Sequence, residues 1–202
     1  MSTIKTNQLA HTANGAATYT LPQTDGSAGQ GLKTNGSGVL SFATLGISEV
    51  DQYRMSSNVT NSGTNATITV WERMGTSIHA ASAIPHGTGM SVSNGIFTFP
   101  SAGKYLIILK MAVACAVDDN VQIYIKITTN NSSYTTLTGA TDGQNGGSGT
   151  RAGSGTAIGF IDVTDTSQVK VLFHADSIGT NSVINGGTAE GTDVIFIRLG
   201  DT

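Results

Sequence analysis

The sequence predicts an all-β sandwich, on three observations. From Val50 onward the apolar residues alternate with polar ones or cluster in short runs, with no helical spacing among them. Those runs end at Gly, Asn, Ser and Asp, residues that favour turns. The segment Val121-Gln-Ile-Tyr-Ile-Lys-Ile127 sets Gln122, Tyr124 and Lys126 against Val121, Ile123, Ile125 and Ile127 in strict alternation, as a strand with one wet face does.

Taken in order, residues 1–46 stand apart as an arm. Short segments are punctuated by Gly, Ser, Thr and Asn, and the pairs Asp25-Gly26 and Asn35-Gly36 suit tight turns because glycine accepts positive φ. Around the second pair, residues 30–34 and 39–42 read as two short strands of a small hairpin. Such a hairpin has too little apolar surface to offset its ordering entropy, so it must pack on a partner chain or another protein. Eight strands follow, around residues 53–59, 66–72, 95–99, 103–117, 121–129, 156–163, 169–174 and 193–199. The run Tyr105-Leu-Ile-Ile-Leu109 is apolar throughout and predicts a strand covered on both faces, by the opposite sheet and by a neighbouring subunit. Residues 141–155 are so rich in glycine that they read as a loop between strands.

Composition limits what the chain does. At 202 residues it divides into an arm, 1–46, and one substantial domain, 47–202. Only 11% of residues are charged and the net charge is -3, so the basic footprint for nucleic acid is missing. No apolar run approaches the roughly 18 residues of a membrane span, and the opening residues carry no signal-peptide core. Neither nucleic acid nor membrane insertion is expected. The single cysteine, Cys115, excludes an intrachain disulfide, and its apolar setting predicts a buried, inert thiol.

Chemistry-bearing patterns are sparse, and no enzyme is expected. The four histidines, His11, His79, His86 and His174, lack metal-type pairing, with His174 and Asp176 the nearest approach. No nucleophile elbow accompanies the serines, no carboxylate pair suits glycoside hydrolysis, and the glycine-rich stretch lacks the Gly-Lys-Ser/Thr ending of a phosphate cradle. Asn58, Asn65 and Asn131 head glycosylation acceptor triplets of the kind an Asn- and Thr-rich chain produces by chance. No cofactor is expected, calcium on Asp118, Asp119, Asp142 and Asp176 being the one candidate; such a site needs six or more converging oxygens.

Two resemblances go further. The segments Gly95-Ile-Phe-Thr-Phe-Pro-Ser-Ala-Gly-Lys-Tyr-Leu-Ile107, Ala157-Ile-Gly-Phe-Ile-Asp-Val163, Val169-Lys-Val-Leu-Phe173 and Thr192-Asp-Val-Ile-Phe-Ile-Arg-Leu-Gly200 resemble the tumour necrosis factor-like jelly roll, shared by the globular heads of the first complement component. That resemblance covers roughly residues 50–202 and implies an antiparallel jelly-roll head that forms a homotrimer. Phe97, Phe99, Tyr105, Phe160, Phe173 and Phe196 are the candidate core and trimer-interface aromatics. The stretch from Leu21 to Phe42 is similar to a module of tail-fibre and structural proteins of marine cyanobacterial phages, and Ser2-Thr-Ile-Lys-Thr-Asn7 and Asp51-Gln-Tyr-Arg54 fit the same group. It implies a phage virion structural protein, a capsid-surface fibre, knob or decoration at the virion surface. The arm would dock on other virion proteins through Ile4, Leu9, Leu21, Leu32 and Phe42. The alternatives are a tail-fibre tip that recognises a host-surface glycan, and a secreted complement-like binding module.

Overall fold

The computed structural model describes residues 6–10, 18–61, 65–75, 85–187 and 191–202. The chain divides into two compact units, Met1–Gly46 and Ile47–Thr202. No described residue lies in an α-helix.

The first unit holds two small antiparallel pairs, β1 (Gln8–Ala10) with β2 (Thr18–Thr20) and β3 (Gln30–Thr34) with β4 (Leu40–Thr44). In the second pair Leu32 faces Phe42 and Thr34 faces Leu40. The intervening turn is five residues long rather than the tight Asn35-Gly36 pair. Asn35 closes it, its Oδ1 accepting from the Ser37 amide at 2.9 Å and the Val39 amide at 3.1 Å. Gly36 and Gly38 both sit at positive φ.

The second unit is a two-sheet sandwich. Its strands are β5 (Val50–Met55), β6 (Val59–Thr60), β7 (Ala66–Thr67), β8 (Trp71–Arg73), β9 (Ser91–Ser93), β10 (Ile96–Thr98), β11 (Gly103–Cys115), β12 (Asp119–Thr128), β13 (Thr135–Gln144), β14 (Arg151–Val163), β15 (Lys170–Asp176), β16 (Val183–Ile184) and β17 (Asp193–Gly200). One sheet runs β14-β11-β17-β5-β8, with β16 and β6 extending from the far end of β11. The other runs β13-β12-β15-β10-β9, with β7 also pairing β15. All pairings are antiparallel and the chain crosses repeatedly between the sheets, which is the jelly-roll pattern.

Between the sheets lies an aromatic core. Phe97 packs edge-on against Tyr53 at 5.0 Å and Phe173 at 5.6 Å, and tilts against Phe196 at 5.1 Å, while Phe99 meets Tyr105 at 4.7 Å. Their polar tips are satisfied. Trp71 Nε1 donates to the Ile68 carbonyl, Tyr53 Oη to that of Met90 and Tyr105 Oη to that of Ser101.

Two expectations are corrected. The 141–155 stretch is a loop only across residues 145–150, because its flanks belong to β13 and β14. Partner strands β12 and β11 supply the hydrogen bonds that glycine-rich sequence cannot secure alone. Gly153, Gly155 and Gly159 point inward, where Asp142, Ala140 and Leu137 of β13 close over them; a Cβ at Gly159 would sit 2.6 Å from Leu137 Cδ2. Second, the strand expected over 66–72 is two pieces, β7 in one sheet and β8 in the other, with a crossover between them. Within one chain the apolar run in β11 is enclosed on its inner face, and its outer face is the one expected to meet a neighbouring subunit. Tyr105, Ile107 and Leu109 are buried, whereas Leu106 and Ile108 are half-exposed on the outer side.

A candidate assembly face

The outer side of the β14-β11-β17 sheet carries the most distinctive surface of the domain. Period-two alternation turns Ile158 and Phe160 of β14, Leu106 and Ile108 of β11, and Ile195, Ile197 and Leu199 of β17 to the same side. Register sets them in rows. Leu106 lies between Phe160 and Ile197, and Ile108 between Ile158 and Ile195. Ile158 is 55% exposed, Phe160 65% and Leu199 51%. Exposed aliphatic and aromatic side chains are normal singly, but a contiguous group on one sheet marks an interaction site.

At the edge of this patch a recess of about 310 Å³ is bounded by Tyr105, Phe160, Ile161 and Leu199. Its rim is ionic, with Lys104 Nζ 3.0 Å from Asp162 Oδ2. Farther along the strands the character changes. Lys110 Nζ reaches Asp193 Oδ2 at 3.4 Å, and beyond that pair the outward positions are small: Ala112, Ala114, Ala152 and Ser154. Burial pushes the Asp193 carboxyl above its ordinary value, an effect that the Lys110 ammonium opposes.

The sequence-predicted aromatics separate into two groups. Phe97, Phe99, Tyr105, Phe173 and Phe196 are buried within a single chain, as core, while Phe160 faces outward. Among the arm residues, Leu9 and Leu32 are exposed, Leu21 and Phe42 are half-buried, and Ile4 lies outside the described residues. Leu106 and Ile108 belong to the apolar run expected to meet a neighbouring subunit, whereas Ile158, Ile195, Ile197 and Leu199 were not singled out from sequence. Their signal was the alternation of Ile158 and Phe160 with Gly159 and Ile161 in a segment that only partly read as strand.

His11 and His79 also lie outside the described residues, and His86 pairs with Val50 through the backbone. His174 stands opposite Tyr124 on the other sheet, and burial, with Lys126 nearby, holds its imidazole below the ordinary value against the pull of Asp176. The four aspartates considered for calcium each accept a hydrogen bond from a backbone amide. Asp118 accepts from the Gly146 amide, Asp119 from Gly179, Asp176 from Ser177, and Asp142 from Gly143 and the Arg151 guanidinium. Among the described residues no three or more His, Cys, Asp or Glu side chains group as a metal site. The Cys115 thiol is buried, and that burial pushes its pKa above the ordinary thiol value, disfavouring the thiolate.

No protein-family model and no curated protein sequence matches the chain. Solved structures match its fold. Eiger TNF from S. frugiperda superposes with a TM-score of 0.59 at 12% identity, over 78% of this chain and 95% of that one. Murine APRIL superposes with a TM-score of 0.53 at 11% identity, over 75% of this chain and 98% of that one. The domain therefore has the tumour necrosis factor-like jelly-roll fold.

Proposed function

We propose that this chain is a non-enzymatic structural protein of a phage particle, whose jelly-roll head forms a homotrimer through the apolar half of the outer sheet face and whose arm docks on the virion. The observation that carries the trimer is the row of Ile158, Phe160 and Leu199, large apolar side chains turned to water on one sheet. Covering that patch contributes roughly 25 cal/mol per Å² before association entropy is subtracted. The antiparallel two-sheet fold and the low charge both suit a displayed, passive scaffold. Placement on a virion rests on the likeness of the stretch from Leu21 to Phe42 to the phage module.

Light scattering on a sizing column tests the assembly. The full chain should run at three times its 20.7 kDa mass, and Phe160→Asp should run at 20.7 kDa with an unchanged β-sheet circular dichroism spectrum. A wild-type chain that stays monomeric at micromolar concentration ends the trimer reading, and a trimeric Phe160→Asp moves the interface elsewhere.

A second reading, recognition of a host-surface glycan, draws on the opposite sheet. Tyr124 lies against Gly139, which lacks the Cβ that would collide with the ring, and Gln122, Lys126 and His174 surround it on the same outward side. A half-exposed aromatic ring flanked by hydrogen-bonding side chains suits a sugar's apolar and hydroxyl surfaces. A glycan array in which Tyr124→Ala and wild type give the same pattern removes this reading.

A further inference from the structure

We infer that the β3–β4 hairpins of three copies pack their apolar sides on one another, so that the arm is a shared element of the assembly rather than three separate tethers. This rests on the trimer reading above and deepens it. None of the described residues within 6–46 is buried, although Leu9, Tyr19, Leu32, Val39 and Leu45 are large, apolar and exposed. Two paired strands with no buried side chain do not persist alone in water, so the hairpin implies a covering surface.

The pleat shows which side needs cover. Leu32, Leu40 and Phe42 share one side of the hairpin, and Gly31, Lys33, Ser41 and Ala43 the other. The second side is already capped in part by Leu45, which lies on Gly31 so closely that a Cβ there would be 2.5 Å from Leu45 Cδ1. On the leucine side Gly26 lies against Phe42, where a Cβ would be 2.6 Å from the ring, and Leu40 and Phe42 are half-buried, so the open part of that side is Leu32, 53% exposed.

Charge and connectivity favour a second and third copy as the occupant. Asp25 and Lys33 are the charged residues of the described arm, and they cancel. Identical copies therefore meet without like-charge repulsion, and the surface lacks the charge pattern that selects a different charged partner. The arm leads through residues 47–49 into β5, whose Val50 pairs with Ile197 at the apolar end of the assembly face. Three heads joined there start their arms from one end of the particle of three, which raises the arms' effective concentration for one another.

Hydrogen exchange on the purified full-length chain, with no other protein present, tests this alongside the mass by light scattering. Within a trimer, amides of residues 30–34 and 40–44 should exchange roughly 100-fold more slowly than in an unstructured peptide. Leu32→Asp should abolish that protection and leave both the trimer mass and the exchange of β11 unchanged. Arm amides that exchange at peptide rates inside an intact wild-type trimer overturn the inference and give the leucine side to another virion protein. Protection that survives in Leu32→Asp, or in a monomeric Phe160→Asp, overturns it as well. A wild-type chain of monomer mass fails at the head first, and the scattering reports that independently of the exchange.

Discussion

Residues 30–44 and residues 135–163 are made of much the same material, with Gly, Ser, Thr and Asn outnumbering the apolar side chains, and each supplies two strands. In the first, no residue is buried. In the second, Ala140, Ala157, Ile161 and Val163 are buried. The difference lies in what stands across from them. β13 and β14 each have a long partner, β12 and β11, and each closes over the other through inward glycines that leave room for Asp142 and Leu137. Among the described residues β3 and β4 pair as strands only with each other, with a single bridge from Thr20 to Val39 at their turn. Small residues fold into strands wherever an apolar scaffold already fixes the neighbouring backbone, and they remain a surface feature where it does not.

Large-to-small substitution breaks the comparison most sharply. Phe97→Ala removes a fully buried ring that touches Tyr53, Trp71, Phe173 and Phe196, and should cost the head about 3–5 kcal/mol in urea denaturation. Phe42→Ala in the arm should leave the head's unfolding free energy within about 0.5 kcal/mol of wild type. Equal effects at the two positions would show that arm and head unfold as one unit.

Glycine substitutions give the next contrast. A side chain at Gly153 runs into the Asp142 carboxylate, which is fixed by Arg151 and the Gly143 amide. Gly153→Val should therefore cost roughly 2–3 kcal/mol, read as a lower midpoint in the same denaturation. At Gly31 the obstacle is the far end of the flexible Leu45 side chain, so Gly31→Ala should not move the head's midpoint measurably. A tolerant Gly153 would mean that β13 can lift off β14 without loss.

The smallest effect comes from pH. Asp193 is held above its ordinary value of 3.8 by burial, with Lys110 opposing. An acid raised by folding contributes stability that is full below its unfolded value and is lost as pH rises through the folded one. The head should therefore lose a little stability between the ordinary carboxylate range and neutrality, and Asp193→Asn should flatten that part of the curve. Denaturant midpoints taken near pH 4 and near pH 7 check the sign.

Much of this was legible in the linear pattern. The alternation around Tyr124 and the apolar segments at residues 103–117, 169–174 and 193–199 located β11, β12, β15 and β17 because their inward side chains are large. Strands that bury little escaped. β13 buries Ala140 alone among its residues, and β9 is a three-residue edge whose marker was the Asn94-Gly95 turn, both residues at positive φ. Of the assembly face, Phe160 and the Leu106 and Ile108 positions of the apolar run were named beforehand, and the exposure of Phe160 could not be told from the burial of Phe97 or Phe173.

Composition and periodicity by themselves determined an all-β chain with a separate N-terminal stretch, a low charged fraction and a buried cysteine. Those properties are local, fixed by side-chain size and by glycine's freedom at turns. Which side of β11, β14 and β17 meets water was decided only by the tertiary structure, whereas the polar alternation of β12 already marked its wet side in the sequence. In the first three, alternation divides a strand into two faces and leaves them equivalent, until pairing with β11 and β17 and packing of the second sheet bury one set and leave Ile158, Phe160 and Leu199 on the other.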